Sequence, residues 1–284
     1  MIDPARNKVA VFGLGIIGSR ASDRLANAGW QIATWNRTPK GGHHETASPA
    51  DAARDSAILS FYLKDAPALR DVIGQIQDTL QPGQIVLNHA TVDLETTRWL
   101  AALCASRGCR FLDCPFTGSK LAAAAGELVY YTGGDAGLAD ELDTYLSVTS
   151  KARIHCGGIG AATVIKLATN LISASIIQAA AEALAITQGN GVDPAVLLDA
   201  VAQNVSSSKL LSMKLPQMID GQFETHFSLA NMGKDSRYML ELAKAAGVDT
   251  PAIAAVSKRM AELCEQGLGE LDYSALVKPY LPPA

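Results

Sequence analysis

Lys166 is the side chain best placed to move a proton: Thr163 stands three positions before it and Asn170 four after, a spacing that puts all three on one face of a helix. A helical lysine more often lays its stem along the surface. Two neighbours argue for chemistry instead. The turn Gly157-Gly158-Ile159-Gly160 lies directly upstream, and a second polar cluster is written Asp113-Cys114-Pro115-Phe116-Thr117-Gly118-Ser119-Lys120. In it Thr117, Gly118 and Ser119 offer hydroxyls and backbone N–H groups suited to a carboxylate. Lys120 adds a charge, in the commoner case from an exposed loop.

Gly13-Leu14-Gly15-Ile16-Ile17-Gly18 matches G-x-G-x-x-G between the apolar run 8–12 and a helical stretch reaching residue 28. The first glycine permits a tight turn, the second lets backbone approach a pyrophosphate, and the third lets helix pack on strand, with helix N–H groups facing the phosphates. The bland alternative is a glycine-rich turn without ligand. At the end of the second strand an NAD site carries a carboxylate for the ribose 2′-hydroxyl; here that strand ends Trp35-Asn36-Arg37-Thr38. Asparagine removes the charge that repels a 2′-phosphate, and Arg37 offers a fork of donors that fits one. NADP(H) is therefore expected over NAD(H), the alternative for Arg37 being an exposed surface arginine.

These groups need elements to carry them. Short β-branched runs at 9–12, 31–35, 57–62, 85–89 and 111–114 alternate with helical stretches, the signature of a doubly wound, Rossmann-type parallel sheet. Ser48-Pro49 opens a helix with a cap and a proline in its first turn, and Asp65 caps the stretch 66–77. Residues 127–132 and 153–155 read as further short strands. The glycine turn at 157–160 divides the chain into a dinucleotide-binding domain, 1–158, and a long interdomain helix with an all-α domain, 159–284. The stretch 161–188 has no helix breaker and is apolar on nearly every face, which predicts a buried helix of about 40 Å. Breaks are expected at Pro194, Pro216, Gly221, Gly247 and Pro251.

Composition excludes several classes. The 284 residues are 48% hydrophobic and only 18% charged, with a net charge of −4, and no Lys/Arg cluster marks a nucleic-acid or anionic-membrane surface. The apolar stretch 171–186 carries Ser173, Ser175, Gln178 and Glu182, which a membrane span tolerates poorly. The first eight residues are too short and polar for a signal peptide, so a cytoplasmic protein is expected. Cys104, Cys109 and Cys114 lack the spacing of a metal or redox motif, and reduced, mostly buried thiols are expected. His43 and His44, adjacent in a loop, are expected to face solvent, and no metal site is expected.

Taken together, GLGIIG, NRT, DCPFTGSKLAAAAGEL, GGIGAATVIKLATN and NMGKD resemble in kind, order and spacing the signatures of the β-hydroxyacid dehydrogenase family, over essentially the whole chain. Gly118-Ser119-Lys120, Ala90-Thr91-Val92-Asp93 and the tail Gly267-Leu268-Gly269-Glu270-Leu271-Asp272-Tyr273-Ser274 are most similar to its glyoxylate/succinic semialdehyde reductase branch. The resemblance implies that Lys166 is the catalytic acid/base, with Asn170 orienting the same oxygen. It implies that Thr117, Gly118, Ser119 and Asn170 hold substrate, that Leu63, Thr91 and Lys234 contact the cofactor, and that Phe227 and Asp235 close over substrate and nicotinamide. A small aldehyde acid or hydroxy acid is the implied substrate, and a homodimer or homotetramer the implied assembly.

Three departures from the family pattern stand out. Ile17 replaces the usual methionine of the glycine turn, Phe116-Thr117 replaces Val-Ser and narrows the pocket, and residues 39–47 are too few for the helix expected after the second strand. Two other readings remain: an imine reductase, whose sequences carry another residue at the lysine position, and a regulatory protein that keeps the fold without chemistry.

Overall fold

The computed structural model describes residues 2–281. By packing the chain divides into two compact units, Met1–Lys166 and Leu167–Ala284.

In the first unit the strands are β1 (Lys8–Phe12), β2 (Gln31–Trp35), β3 (Ile58–Phe61), β4 (Ile85–Asn88), β5 (Arg110–Asp113), β6 (Phe116–Thr117), β7 (Leu128–Gly134) and β8 (Ser150–Gly157). Their order is β2-β1-β3-β4-β5-β7, with β1 to β5 parallel. β1 from Val9 onward, β3 and β4 are buried residue after residue, as a sheet covered on both faces requires, and Phe12 stacks on Phe61 with centroids 4.5 Å apart. Beyond β5 the sheet is no longer purely parallel. β5 and β6 pair antiparallel with one edge of β7, and β8 lies parallel along the other. The last two strands are thus longer than the short runs predicted for them.

The helices of this unit are α1 (Ile16–Asn27), α2 (Pro49–Arg54), α3 (Ala66–Ile76), α4 (Leu94–Ser106), α5 (Lys120–Ala125), α6 (Ala136–Glu141) and α7 (Asp143–Leu146). α2 to α6 each open on a side chain that accepts a first-turn N–H: Ser48, Asp65, Asp93, Ser119 and Asp135. α1 opens on Gly15 and has no such cap.

α8 (Ala161–Gly189) begins in the first unit and continues into the second, which adds α9 (Pro194–Gln203), α10 (Lys209–Ile219), α11 (Leu229–Ala245), α12 (Pro251–Glu265) and a 3₁₀ helix, Tyr273–Tyr280. By length and composition alone α8 is apolar enough to cross a membrane. Leu167, Ala174, Ile177, Ala181 and Leu184 instead build the second unit's core with Met218, Met232, Met239, Ile253 and Met260. The expectation of burial all round is corrected, because Ile165, Ile172 and Ile186 are 40%, 56% and 66% exposed. A helix apolar on nearly every face has more apolar surface than one set of neighbours can cover. Of the breaks expected at prolines, those at Pro194 and Pro251 are present and the one at Pro216 is not. Pro194 and Pro251 start helices, where their missing N–H costs nothing, and Pro216 sits inside α10 near its C-terminus. The carbonyl it leaves unbonded belongs to exposed Ser212, where water can satisfy it. Gly221 and Gly247 do end helices, both with positive φ.

Candidate cofactor and active site

Register aligns Trp35, Phe12, Phe61, Asn88 and Asp113 across the parallel strands. The residues that follow each strand therefore emerge along one edge, where ligands of such sheets bind. The predicted cofactor residues Gly13 to Gly18, Asn36, Arg37, Thr38, Leu63 and Thr91 all lie on this edge.

The three glycines of the turn have different reasons to be glycine. Gly13 has φ +94°, and a Cβ there would overlap the carbonyl oxygen of Tyr62. A Cβ on Gly18 would overlap the carbonyl oxygen of Gly13. Gly15 has ordinary φ, is exposed, and a Cβ on it would meet nothing within 4 Å. Neither backbone conformation nor packing demands glycine at that point; a ligand approaching the backbone does. The uncapped first turn of α1, free of acidic residues, offers that ligand N–H groups. The residues present therefore fit a dinucleotide pyrophosphate.

Asn36 fastens this turn. Its Oδ1 accepts the Leu14 N–H at 2.9 Å and its Nδ2 donates to the Thr38 carbonyl at 2.6 Å. Arg37 and Thr38 are exposed, and Arg37 makes no ion pair among the described residues. Residues 39–47 form no helix; their end runs parallel beside β2, with Thr34 N–H on the His44 carbonyl at 2.7 Å and Thr46 N–H on the Thr34 carbonyl at 2.9 Å. Glu45 organises the loop by accepting the N–H groups of Lys40 and Gly41 at 3.0 and 2.7 Å. The Lys40 N–H is the chief reason its carboxyl lies below the ordinary value. His43 and His44 are exposed.

At the end of β4, Asn88 exchanges two hydrogen bonds with the Ala90 backbone and so shapes the approach to half-buried Thr91. His89 donates from Nδ1 to the Cys114 carbonyl at 2.8 Å, since a carbonyl can only accept. Burial pulls its pKa down to about 4, which keeps the ring neutral.

Asp113, fully buried at the end of β5, accepts both the N–H and the hydroxyl of Thr163 at Oδ2, each at 2.9 Å. The same hydroxyl meets Thr97 Oγ1 at 2.9 Å. The first turn of α8 is thereby pinned to the sheet, and half-buried Lys166 lies one turn along it. Burial pushes Asp113 up to about 6 in spite of those bonds, and its Oδ1 has no hydrogen-bond partner among the described residues. Four residues further on, Thr117 lies in β6, and Ser119 caps α5 by accepting the Ala122 N–H at 3.2 Å, which leaves its own O–H to donate. Gly118 between them is exposed with φ +142°. Lys120 is no loop residue: it opens α5, because Ser119 supplies the cap.

In the second unit Asn170 donates from Nδ2 to Asp235 Oδ2 at 2.8 Å, and Lys234 Nζ lies 2.9 Å from Asp235 Oδ1. The Lys234 ammonium also stands 5.3 Å from the Tyr238 ring centre. Phe227, half-buried, meets the Tyr273 ring edge-on at 6.1 Å.

Residues 8–158 match the family described as the NAD binding domain of 6-phosphogluconate dehydrogenase, and residues 160–280 that described as NAD-binding of NADP-dependent 3-hydroxyisobutyrate dehydrogenase. The chain belongs to the β-hydroxyacid dehydrogenase family. Glyoxylate/succinic semialdehyde reductase 2, chloroplastic, of Arabidopsis thaliana is 29% identical over 281 residues, which are 95% of this chain and 78% of that protein. The cytokine-like nuclear factor N-PAC of Mus musculus is 30% identical over 287 residues, 99% of this chain; the chain spans 52% of its length. Among solved structures, 3-hydroxyisobutyrate dehydrogenase of Mycobacterium tuberculosis with L-serine has a TM-score of 0.89 at 23% identity, covering 97% of this chain and 99% of that one. That likeness is one of fold.

The family is one of NAD(P)-dependent oxidoreductases. Four residues that shape this chain's site escaped sequence reasoning: Glu45, Asn88, His89 and Asp113 in its holding role. Asp113 and Asn88 end strands at the ligand-binding edge, which was a signal in the sequence; Glu45 gave none.

Proposed function

We propose that this β-hydroxyacid dehydrogenase homologue reduces a small aldehyde acid with NADPH, Lys166 acting as general acid. The observation that carries the reading is the grip of Asp113 on Thr163, which holds the lysine's helix at the sheet edge bearing the glycine turn. NADPH, when bound, supplies hydride to the substrate carbonyl carbon. Lys166 donates a proton from Nζ to the oxygen as it gains negative charge, and takes it back as a neutral amine in the oxidation. The hydroxyls of Thr117 and Ser119 and the N–H of Gly118 hold the substrate carboxylate. Asn170, oriented by Asp235, steadies the reacting oxygen, and Phe227 and Asp235 contact the substrate. Thr91, Leu63 and Lys234 contact the cofactor, and Arg37 pairs with its 2′-phosphate. The names of the plant relatives support glyoxylate or succinic semialdehyde as substrate. The isoleucines exposed on α8 support assembly into a homodimer or homotetramer.

A panel of glyoxylate, succinic semialdehyde and tartronate semialdehyde, each with NADPH and with NADH, tests the reading. Turnover of at least one aldehyde acid is expected, with kcat/KM at least about tenfold higher for NADPH, the scale of one charge-assisted contact. A preference for NADH would overturn the role of Arg37. NADPH consumption with a cyclic imine and with no aldehyde acid would make the chain an imine reductase.

A further inference from the structure

The tail from Gly267 to Ser274 has no part in the reaction derived above, yet it holds the most deeply buried ion pair among the described residues. Lys214 Nζ in α10 lies 2.7 Å from Asp272 Oδ1, with the two side chains 1% and 0% exposed. Asp272 also holds backbone. Its Oδ2 accepts the N–H groups of His226 at 3.0 Å and Phe227 at 3.1 Å, and its Oδ1 accepts that of Ser274 at 3.0 Å.

The Phe227 residue is gripped from the other side as well. The Tyr273 N–H donates to the Phe227 carbonyl at 3.0 Å. The Tyr273 ring meets the Phe227 ring edge-on and lies 5.5 Å from the Lys214 ammonium. Leu229 N–H on the Leu271 carbonyl, at 2.8 Å, and Ala230 N–H on the Gly269 carbonyl, at 2.9 Å, extend the seam into the first turn of α11. That helix carries Lys234 and Asp235.

A buried pair of opposite charges is a poor device for stability, because apolar residues of the same volume often do as well. Here the charge has a local task. The N–H groups of His226 and Phe227 lie in a loop, outside helix and strand, and a carboxylate is the strongest acceptor a side chain offers them. Burial pushes the Asp272 carboxyl up, but Lys214 and the N–H groups outweigh it and hold the group below its ordinary value. The lysine thus keeps an anion where the loop needs one.

We propose that Lys214 and Asp272 are a positioning pair: through the backbone of His226 and Phe227 they set where the Phe227 ring stands, and so set KM for the aldehyde acid without touching it. The inference rests on the reading of Phe227 as a substrate-facing residue.

A double-mutant cycle between Lys214 and Phe227 tests it. Lys214→Met raises KM for the aldehyde acid at least about fivefold and leaves KM for NADPH within about twofold, while Lys214→Arg restores most of the loss. In a Phe227→Ala background Lys214→Met adds less than about twofold, because the ring it positions is gone. An equal rise in KM in both backgrounds, or none in a folded Lys214→Met protein, overturns the proposal. Should the single variant not fold, Lys214→Met/Asp272→Asn leaves no unpaired charge and carries the same expectations. Amide hydrogen exchange of the segment 222–230 gives a readout independent of substrate. Faster exchange there in the variants, with α8 unchanged, is expected; unchanged exchange at 222–230 rejects the pair's hold on Phe227. A wild-type protein inert toward every aldehyde acid sinks the functional reading, and the exchange result then decides the pair's role.

Discussion

The side chain of Asn36 accepts the backbone N–H of Leu14 at 2.9 Å, so the residue that follows β2 is engaged with the glycine turn rather than left for a ribose. Its Nδ2 is engaged too, with the Thr38 carbonyl. Asn36→Ala frees the Leu14 N–H and loosens the turn for either cofactor; KM for NADPH and NADH is expected to rise together, about three- to tenfold, the worth of one hydrogen bond. Asn36→Asp keeps an acceptor for Leu14 but adds a charge, and penalises NADPH more than NADH. Steady-state kinetics with both cofactors reads this. Unchanged KM values in Asn36→Ala would mean the bond does not hold the turn.

Gly15 and Gly18 separate ligand from packing. Gly15→Ala places a methyl group in open space, at a cost of no more than about 1 kcal/mol from the poorer N-cap. It obstructs the approach of a pyrophosphate, and NADPH affinity is expected to fall at least about tenfold. Gly18→Ala forces a methyl group onto the Gly13 carbonyl and is expected to cost about 1–3 kcal/mol of stability as well as binding. Thermal melts and fluorescence titration with NADPH distinguish them. A Gly15→Ala protein that binds NADPH normally would remove the main support for the cofactor site.

Features carried by local pattern were legible in the sequence, and features carried by distant contacts were not. The strands of the parallel sheet show in their β-branched runs, and α2 and α3 in Ser48-Pro49 and Asp65, because capping acts over three or four residues. The glycine turn was readable since strand, turn and helix are consecutive. Asp113 was visible as part of a polar cluster, but its partner Thr163 lies 50 residues away, and Lys214 and Asp272 are 58 apart. The exposure of Ile172 and Ile186 was illegible for a related reason: periodicity tells which faces are apolar, and on α8 nearly all of them are. Glu45 organises its loop by accepting backbone N–H groups, an arrangement with no residue pattern beyond a lone acid.

Lys166→Met keeps the length and apolar stem of the lysine and removes its proton. Turnover of the aldehyde acid is expected to fall at least about a hundredfold, the usual contribution of a positioned acid, with NADPH affinity within about twofold of wild type. Single-turnover kinetics on NADPH-loaded protein reads the chemical step directly. Near-normal turnover would reject the assignment and return the proton donor to the residues of the 113–120 cluster.

Asp113 is a carboxylate whose ionisation opposes folding. Its folded pKa, near 6, stands above the ordinary 3.8, so the folded protein holds the proton more tightly than the unfolded chain. The stability this group contributes is therefore fully present below about pH 4 and lost as pH rises through about 6, a swing on the order of 3 kcal/mol. Asp113→Asn abolishes the titration while keeping an oxygen for Thr163. In melts from pH 4 to 7 the variant is expected to gain steadily on wild type. Asp113→Ala, by contrast, strands the Thr163 N–H and hydroxyl, releases the first turn of α8, and is expected to lower kcat about tenfold, as misplacement of a catalytic group does. A difference between Asp113→Asn and wild type that stays flat with pH would show the carboxylate ionised throughout. The grip on Thr163 would then be that of an anion, and Asp113→Asn should weaken activity as Asp113→Ala does.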